Sequence, residues 1–407
     1  MAARRGLPDL TIGEDPPEWF VEDLRRRFPT EAEVDRMLTA KMRARGGPAY
    51  RRPDPAEMRE RLDAFFAHTL EGPFEVGPLR WSTGGVSKIQ ITFTLTRRDP
   101  ADGRRREDRL VLRMDPVEGS NATSRSREFE LLRLANGVLP VPEVFWVDAE
   151  ARWFPRPALV YAFAEGVTRP SVATTGAVSG IGTDFGPHHR ALLAPQFMEH
   201  LARLHTLDLG EWHFTSLEVP EAGTTQAASW LLNQARRTWE EDRAEDLLLM
   251  EVAANWLADN LPILDRAGVV HGDFRAGNFL FDEESGRITA WLDWERGHLG
   301  DRHRDLAWMT QRTFGHLGED GRFLVCGLVP EDEFYDTYER LSGLRVDAER
   351  LVFHRVLNAY ALVVSALASA QRVARLGRSH QDIVLARVEG VVPVVLGELR
   401  DLLMDRI

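Results

Sequence analysis

The run Val270-His271-Gly272-Asp273-Phe274-Arg275-Ala276-Gly277-Asn278 leads into Phe279-Leu280-Phe281, a turn-rich Asp282 to Gly286, and Ile288 to Leu292, which ends at Asp293. Two short apolar runs either side of a polar, glycine-containing turn predict a β-hairpin. A hairpin here constrains the chain strongly. It returns the second strand beside the first, so that Asn278 and Asp293, distant in sequence, share one end. Asp273 lies five positions before Asn278, in the loop that feeds the hairpin.

An acid, an amide and a second acid in that order suit phosphoryl transfer. Its transition state spreads charge over the transferred oxygens and leaves the protein to position groups and compensate charge. An aspartate beside an incoming hydroxyl can orient it and take its proton; an asparagine oxygen and an aspartate oxygen can hold Mg²⁺. An isolated His-Gly-Asp is ordinarily a solvated turn, favoured for backbone reasons alone. The full spacing, with flanking apolar strands and the following Asp293-Trp294-Glu295, has few structural reasons to occur together.

Four segments carry a resemblance: HGDFRAGNFLF at 271–281, LDWERGHLGDRHRDLAW at 292–308, VLRMDP at 111–116 and REFELLRLA at 127–135. They resemble the aminoglycoside phosphotransferase and choline kinase superfamily, within the protein-kinase-like fold. The match is closer to phosphotransferases related to the kinase-like domain of some acyl-CoA dehydrogenase fusions, and it runs from about residue 75 to the C-terminus. It implies ATP and Mg²⁺ as cofactors, Asp273 as catalytic base, and Asn278 and Asp293 on the metal. It also implies that Arg113 binds the nucleotide phosphates, that Glu128 pairs with Arg113, and that the backbone near Ala164 meets the adenine. Arginine in place of the more usual lysine departs from protein kinases, but its fork can grip phosphate bidentately.

Several residues keep two readings. Arg113 alone is a strand residue and Glu128 a solvated helix position, with Glu130 competing for the pairing role. Gly84, Gly85 and Ser87, with Lys88, would form the loop over the phosphates, although Gly-Gly pairs are commonly ordinary turns. Arg275 is either a cation beside the transferred phosphate or a structural partner of an acid such as Glu295. Glu295 is either a magnesium-side neighbour or a local ion-pair partner. His271 reads as a loop-orienting group, Asp305 as a brace of the catalytic loop, and His188-His189 as a solvated loop.

Periodicity divides the chain. Thr30 with Glu33 forms a capping-box signature, and Asp54-Pro55 starts a helix expected to reach about Leu70. Lys88 to Thr96 alternates, with Ile89, Ile91, Phe93 and Leu95 on one face; Arg109 to Met114, Glu143 to Val147 and Ala158 to Phe163 are further strands, and Ser126 to Asn136 a helix. Thr168 to Pro195 reads as an irregular insertion, and helical spacing dominates from Ala191. The expected architecture is α+β: a helical extension over 1–70, a small antiparallel-sheet N-lobe with one helix over 71–166, and a larger, mainly helical C-lobe over 167–407. Ser229 to Asn260 and helices within 347–405 would form the acceptor side.

Composition narrows partners. With 51 basic and 63 acidic residues the formal charge is −12, which argues against a general nucleic-acid surface. The single cysteine, Cys326, excludes an intramolecular disulfide and reads as a buried inert thiol. The basic N-terminus lacks the apolar core of a secretory signal, and the longest apolar helical stretch, Ala359 to Ala370, falls short of the roughly 20 residues a bilayer span requires. A cytoplasmic protein without membrane contact is expected; nothing in the sequence sets its oligomeric state. The expected activity is transfer of a γ-phosphoryl group to the hydroxyl of a small molecule, metabolic in type, with an aminoglycoside as the alternative acceptor. A nucleotide-binding pseudokinase or assembly module is the other class, against which the intact Asp273, Asn278 and Asp293 count.

Overall fold

The computed structural model describes residues 14–46, 51–82, 88–98, 102–119, 121–171, 180–210, 212–377, 379, 389–404 and 406. An antiparallel sheet builds the N-lobe in the order β1-β3-β4-β6-β5, with β2 paired to β3. The strands are β1 (Phe74–Val76), β2 (Arg80–Trp81), β3 (Ile89–Arg98), β4 (Arg105–Met114), β5 (Val144–Asp148) and β6 (Ala158–Ala162). The alternation in β3 is obeyed: Ile89, Ile91, Phe93 and Leu95 are buried. They pack with Met58, Leu62 and Phe66 of α3 (Pro55–Thr69), whose first turn is capped where Asp54 accepts from Ala56 N at 2.7 Å. On the other face lies α4 (Arg125–Ala135), capped by Ser124, whose Oγ accepts from Arg127 N.

Among the described residues, two helices precede α3: α1 (Glu18–Arg27) and α2 (Ala32–Arg43), of which only the second was expected. The capping box at Thr30 does not form. The cap residue is Glu31, its carboxylate drawn to Arg127 at 2.6 Å, while Glu33 turns to Arg36 at 2.6 Å. Both helices lean on α6 (Gln226–Asp242) of the C-lobe, whereas α3 lies on the N-lobe sheet.

The C-lobe begins with α5 (Gly186–Thr206), followed by α6 and α7 (Leu248–Asp259). The insertion expected over Thr168–Pro195 is therefore shorter, because residues 186–195 are helical; 172–179 lie outside the described residues. Pro195 is carried inside α5 by the buried Leu193 and Phe197 on either side of it. Strand β7 (Gly268–Val270) and the hairpin β8 (Phe279–Asp282) and β9 (Arg287–Trp291) follow, as the spacing requires, with Phe279 opposite Trp291. Strand β10 (His298–Gly300) pairs with β7. Helix α8 (His303–Met309) sits beneath the loop between β7 and β8, ahead of a small sheet over 316–330 and α9 (Glu331–Ser342).

The last long helical run exceeds the expected apolar stretch. Helix α10 (Ala348–Val363), a π-helical stretch Val364–Ser369 and α11 (Ala370–Leu376) join into 29 continuous helical residues. By length and composition this run could cross a bilayer, but 67% of its most apolar window is buried, with Phe353, Leu357, Tyr360 and Val363 in a core shared with α6, α7 and α12 (Val392–Met404).

Candidate active site

The loop from His271 to Asn278 is built on backbone amides. Asp305, on α8, accepts from His271 N at 2.7 Å and Gly272 N at 2.8 Å, and its carboxylate also meets His205 Nε2 at 3.3 Å. Burial alone would raise the Asp305 carboxyl, but these partners outweigh it and hold it below the usual carboxylate range. Gly272 has φ +77°, and a Cβ there would meet Arg296 O at 2.5 Å, so glycine lets the loop lie against the chain beyond Asp293. His271 is pushed toward its neutral form, first by burial. It bridges the loop to the hairpin: Nδ1 accepts from Asp273 N at 3.2 Å, and Nε2 lies 3.0 Å from Leu292 O.

Asp273 is gripped from three sides. Its Oδ1 accepts from Trp308 Nε1 at 2.6 Å and Arg275 Nε at 2.8 Å, and its Oδ2 from Asn278 Nδ2 at 2.7 Å. With its amide nitrogen spent on Asp273, Asn278 has an Oδ1 that takes no hydrogen bond from a described residue. Leu292 N donates to Asn278 O at 2.7 Å, and this tie sets Asp293 next to the loop. Asp293 itself adopts a left-handed backbone, φ 65° and ψ 46°, uncommon away from glycine, which turns its side chain out to 37% exposure.

Arg113 projects from β4 into this cluster. Its guanidinium reaches Glu128 of α4 at 3.2 Å, Asp293 at 2.5 Å and Glu295 at 2.8 Å. Burial would pull Arg113 down, yet the three carboxylates hold it firmly charged. Glu130 points the other way, receiving Thr215 N at 2.8 Å and Ser216 N at 3.1 Å, so α4 is pinned to the C-lobe while Glu128 faces the site. Lys88 is buried against Asp115 at 3.0 Å and Glu295 at 3.6 Å. Glu295 is thus an ion-pair partner, and Arg275 pairs with Asp273, its guanidinium 5.0 Å above the Phe314 ring. Gly84, Gly85 and Ser87 lie outside the described residues.

The expected hinge is anchored at both ends. Phe163 N donates to Arg109 O at 2.8 Å, and Val167 exchanges a pair of hydrogen bonds with Phe281 at 2.9 and 3.0 Å. Between them, half-buried Ala164 makes no backbone hydrogen bond to another described residue. His189, one of the adjacent histidines, lies 3.1 Å from Glu283 O, and no group of three metal-holding His, Cys, Asp or Glu occurs among the described residues. Cys326 is buried, its thiol pushed up to about 12 by burial. Trp308 was not foreseen. Its signal is its place three positions beyond Asp305, which puts both side chains on one face of α8.

The chain belongs to the phosphotransferase enzyme family (APH), whose profile matches residues 101–350. Acyl-CoA dehydrogenase family member 10 of Mus musculus is 29% identical over 235 residues, covering 56% of this chain and 20% of that protein. The chain therefore spans only a fraction of that relative. Aminoglycoside 3'-phosphotransferase of Streptomyces fradiae is 29% identical over 196 residues, 46% of this chain and 66% of that protein. Among solved structures, an ethanolamine kinase from Plasmodium vivax superposes with a TM-score of 0.52 at 13% identity, covering 90% of this chain and 97% of that one. A thermostable aminoglycoside phosphotransferase APH(4)-Ia in ternary complex with ADP and hygromycin B gives 0.51 at 17% identity, covering 83% and 97%. At those identities the likeness is one of fold, and the fold is the bilobal kinase-like one.

Proposed function

We propose that this chain is an ATP- and Mg²⁺-dependent kinase that moves the γ-phosphoryl group to the hydroxyl of a small molecule. The observation that carries the reading is the triply held Asp273 carboxylate beside an Asn278 Oδ1 that takes no hydrogen bond from a described residue and the half-buried Asp293. Asp273 orients the acceptor hydroxyl and takes its proton. The hydroxyl oxygen forms a bond to the γ-phosphorus, the bond from that phosphorus to the β,γ-bridging oxygen breaks, and ADP leaves. A carboxylate and an amide oxygen are hard donors that fit Mg²⁺, so Asn278 and Asp293 would hold it; when bound, the ion neutralises phosphate charge. Arg113, steadied by Glu128, grips phosphate oxygens, and the backbone at Ala164, which bonds to no other described backbone, receives the adenine. Arg275 serves Asp273 and brings positive charge to that end of the site.

The acceptor is a metabolic alcohol rather than a polycationic antibiotic. Two acids on the acceptor side, Glu241 and Asp242, are already consumed: Arg45 meets both, at 3.3 and 2.6 Å, and Arg237 and Arg372 take the rest. The test is ADP release by the purified chain with Mg·ATP and a panel of alcohols, amino alcohols, sugars and aminoglycosides. Turnover abolished in Asp273→Asn supports the reading; no nucleotide binding and no turnover with any acceptor defeats it.

A further inference from the structure

A cavity of about 120 Å³ opens beside the segment 295–299, two residues beyond Asp293. Helix α2, the loop before α4, α6, the segment 295–299 and the run that continues α10 enclose it. Its apolar walls include Val34, Leu38, Trp230 and Val364, but its polar lining is unusual. Arg304 lines it at 6% exposure, and among the described residues its guanidinium meets no carboxylate and donates no hydrogen bond; its Nε is buried and unsatisfied. Arg296 lines it too, stacked 4.8 Å above the Trp308 ring and likewise without a carboxylate among the described residues. In a chain with 63 acids against 51 bases, two neighbouring arginines lack acids while Arg45, Arg113, Arg237 and Arg372 are all matched.

Burial, with the positive charge of Arg296 beside it, pulls the Arg304 guanidinium down to about 9. His298 on the same wall is pushed toward its neutral form by burial: its Nδ1 lies 3.2 Å from Arg296 O, and its buried Nε2 has no partner among the described residues. An isolated buried cation and an orphaned acceptor are costly unless a ligand completes them. The cavity touches the chemistry through one contact chain, since Arg296 covers Trp308 and Trp308 donates to Asp273.

We propose that Arg304 and Arg296 anchor the carboxylate of the acceptor, so that the substrate is a hydroxy carboxylate whose hydroxyl is presented to Asp273. This rests on the phosphotransferase reading and names its substrate class. The carboxylate replaces the missing counter-ion of Arg304, and His298 Nε2 accepts from a polar hydrogen of the ligand. A volume of 120 Å³ holds on the order of four water-sized groups, which suits the head of a short hydroxy acid with its chain against the apolar wall.

The test is calorimetric titration of the full chain with 3-hydroxybutyrate, 6-hydroxyhexanoate, methyl 3-hydroxybutyrate and inorganic phosphate, with and without a non-hydrolysable ATP analogue. Expected are binding of at least one acid, a methyl ester roughly 10-fold weaker or worse, and a loss of roughly 10- to 100-fold for the acid in Arg304→Met with analogue affinity unchanged. Arg304→Lys, which keeps the charge, and Arg296→Gln, each checked for folding by circular dichroism, should weaken the acid less than Arg304→Met. Equal binding of acid and ester, an unaffected Arg304→Met, Arg304-dependent binding of phosphate alone, or no binding of any acid to a nucleotide-competent chain each overturns the proposal. Acid binding that depends on Arg304 in a chain that binds no analogue would instead defeat the kinase reading and leave the anion site standing.

Discussion

Trp308 Nε1 donates to Asp273 Oδ1 at 2.6 Å from a helix whose Asp305 also holds the amides of His271 and Gly272. One short helix therefore fixes both the path of the catalytic loop and the direction of its carboxylate. Trp308→Phe removes the donor while keeping most of the packing. Turnover should fall roughly 10- to 100-fold with the KM for ATP little changed, because misplacing a reacting group by about 1 Å costs on that scale. Steady-state kinetics with ATP varied check it; an equal loss in kcat and nucleotide affinity would point to a collapsed site.

Arg113 is shared by Glu128, Asp293 and Glu295, so its loss strands buried acids and removes the group proposed to grip phosphate. Arg113→Met should destabilise the fold by about 3–5 kcal/mol, the usual effect of breaking a buried pair from one side. Asp293→Asn removes one of the three carboxylates, the one proposed to hold Mg²⁺, at a position that is 37% exposed. That variant should stay folded and require roughly 10-fold or more Mg²⁺ for half-maximal turnover. Denaturant unfolding separates the two variants, and magnesium titration tests the second.

Much of the catalytic hairpin was legible because its signals are local. Asp273 and Asn278 sit in one loop, and two apolar runs about a turn determine where Asp293 must return. The cap of α3 was legible for the same reason: Asp54 and Pro55 act within one turn. Helix α1 was not, since Val21 and Leu24 are its only buried residues and the rest reads as a charged tail. Helix α5 was cut short because Gly180-Ile181-Gly182 and Pro187-His188-His189 suggest an irregular stretch, whereas Leu193 and Phe197, buried on either side of Pro195, hold the helix through tertiary contacts. Trp308 and Asp273 are 35 positions apart, and Arg304 is notable only for carboxylates it does not meet, so no spacing announces either.

His200 gives a pH dependence. Its Nδ1 accepts from Trp291 Nε1 at 3.0 Å, and burial lowers it to about 4 from an ordinary 6.5. The depressed group binds fewer protons folded than unfolded across that interval, so its stabilisation is full above about 6.5 and declines as pH falls toward about 4. His298, lowered to about 3 by burial, adds in the same direction. Unfolding free energy should therefore drop between pH 6.5 and 4. His200→Gln, which can still accept from Trp291 without titrating, should flatten that slope; an unchanged slope would show that the drop comes from other groups.

The N-terminal helices are seated on the C-lobe by charge. Arg45 reaches Asp242 at 2.6 Å and Glu241 at 3.3 Å, Lys41 lies 3.4 Å from Asp242, and Arg237 joins Asp35 at 2.6 Å. Burial alone would raise Asp242, but Arg372, Lys41 and Arg45 hold it well below the usual range. Arg45→Met leaves a buried carboxylate under-compensated and should cost about 3 kcal/mol, whereas Arg45→Met with Asp242→Asn should recover part of the loss by removing the stranded charge. Denaturant unfolding of both single variants and the double variant measures that coupling, and additive losses would show that the pair is not coupled. Because α2 also walls the cavity that holds Arg304, Arg45→Met should weaken the acceptor more than the nucleotide. Equal effects on both ligands would place the N-terminal helices outside acceptor recognition.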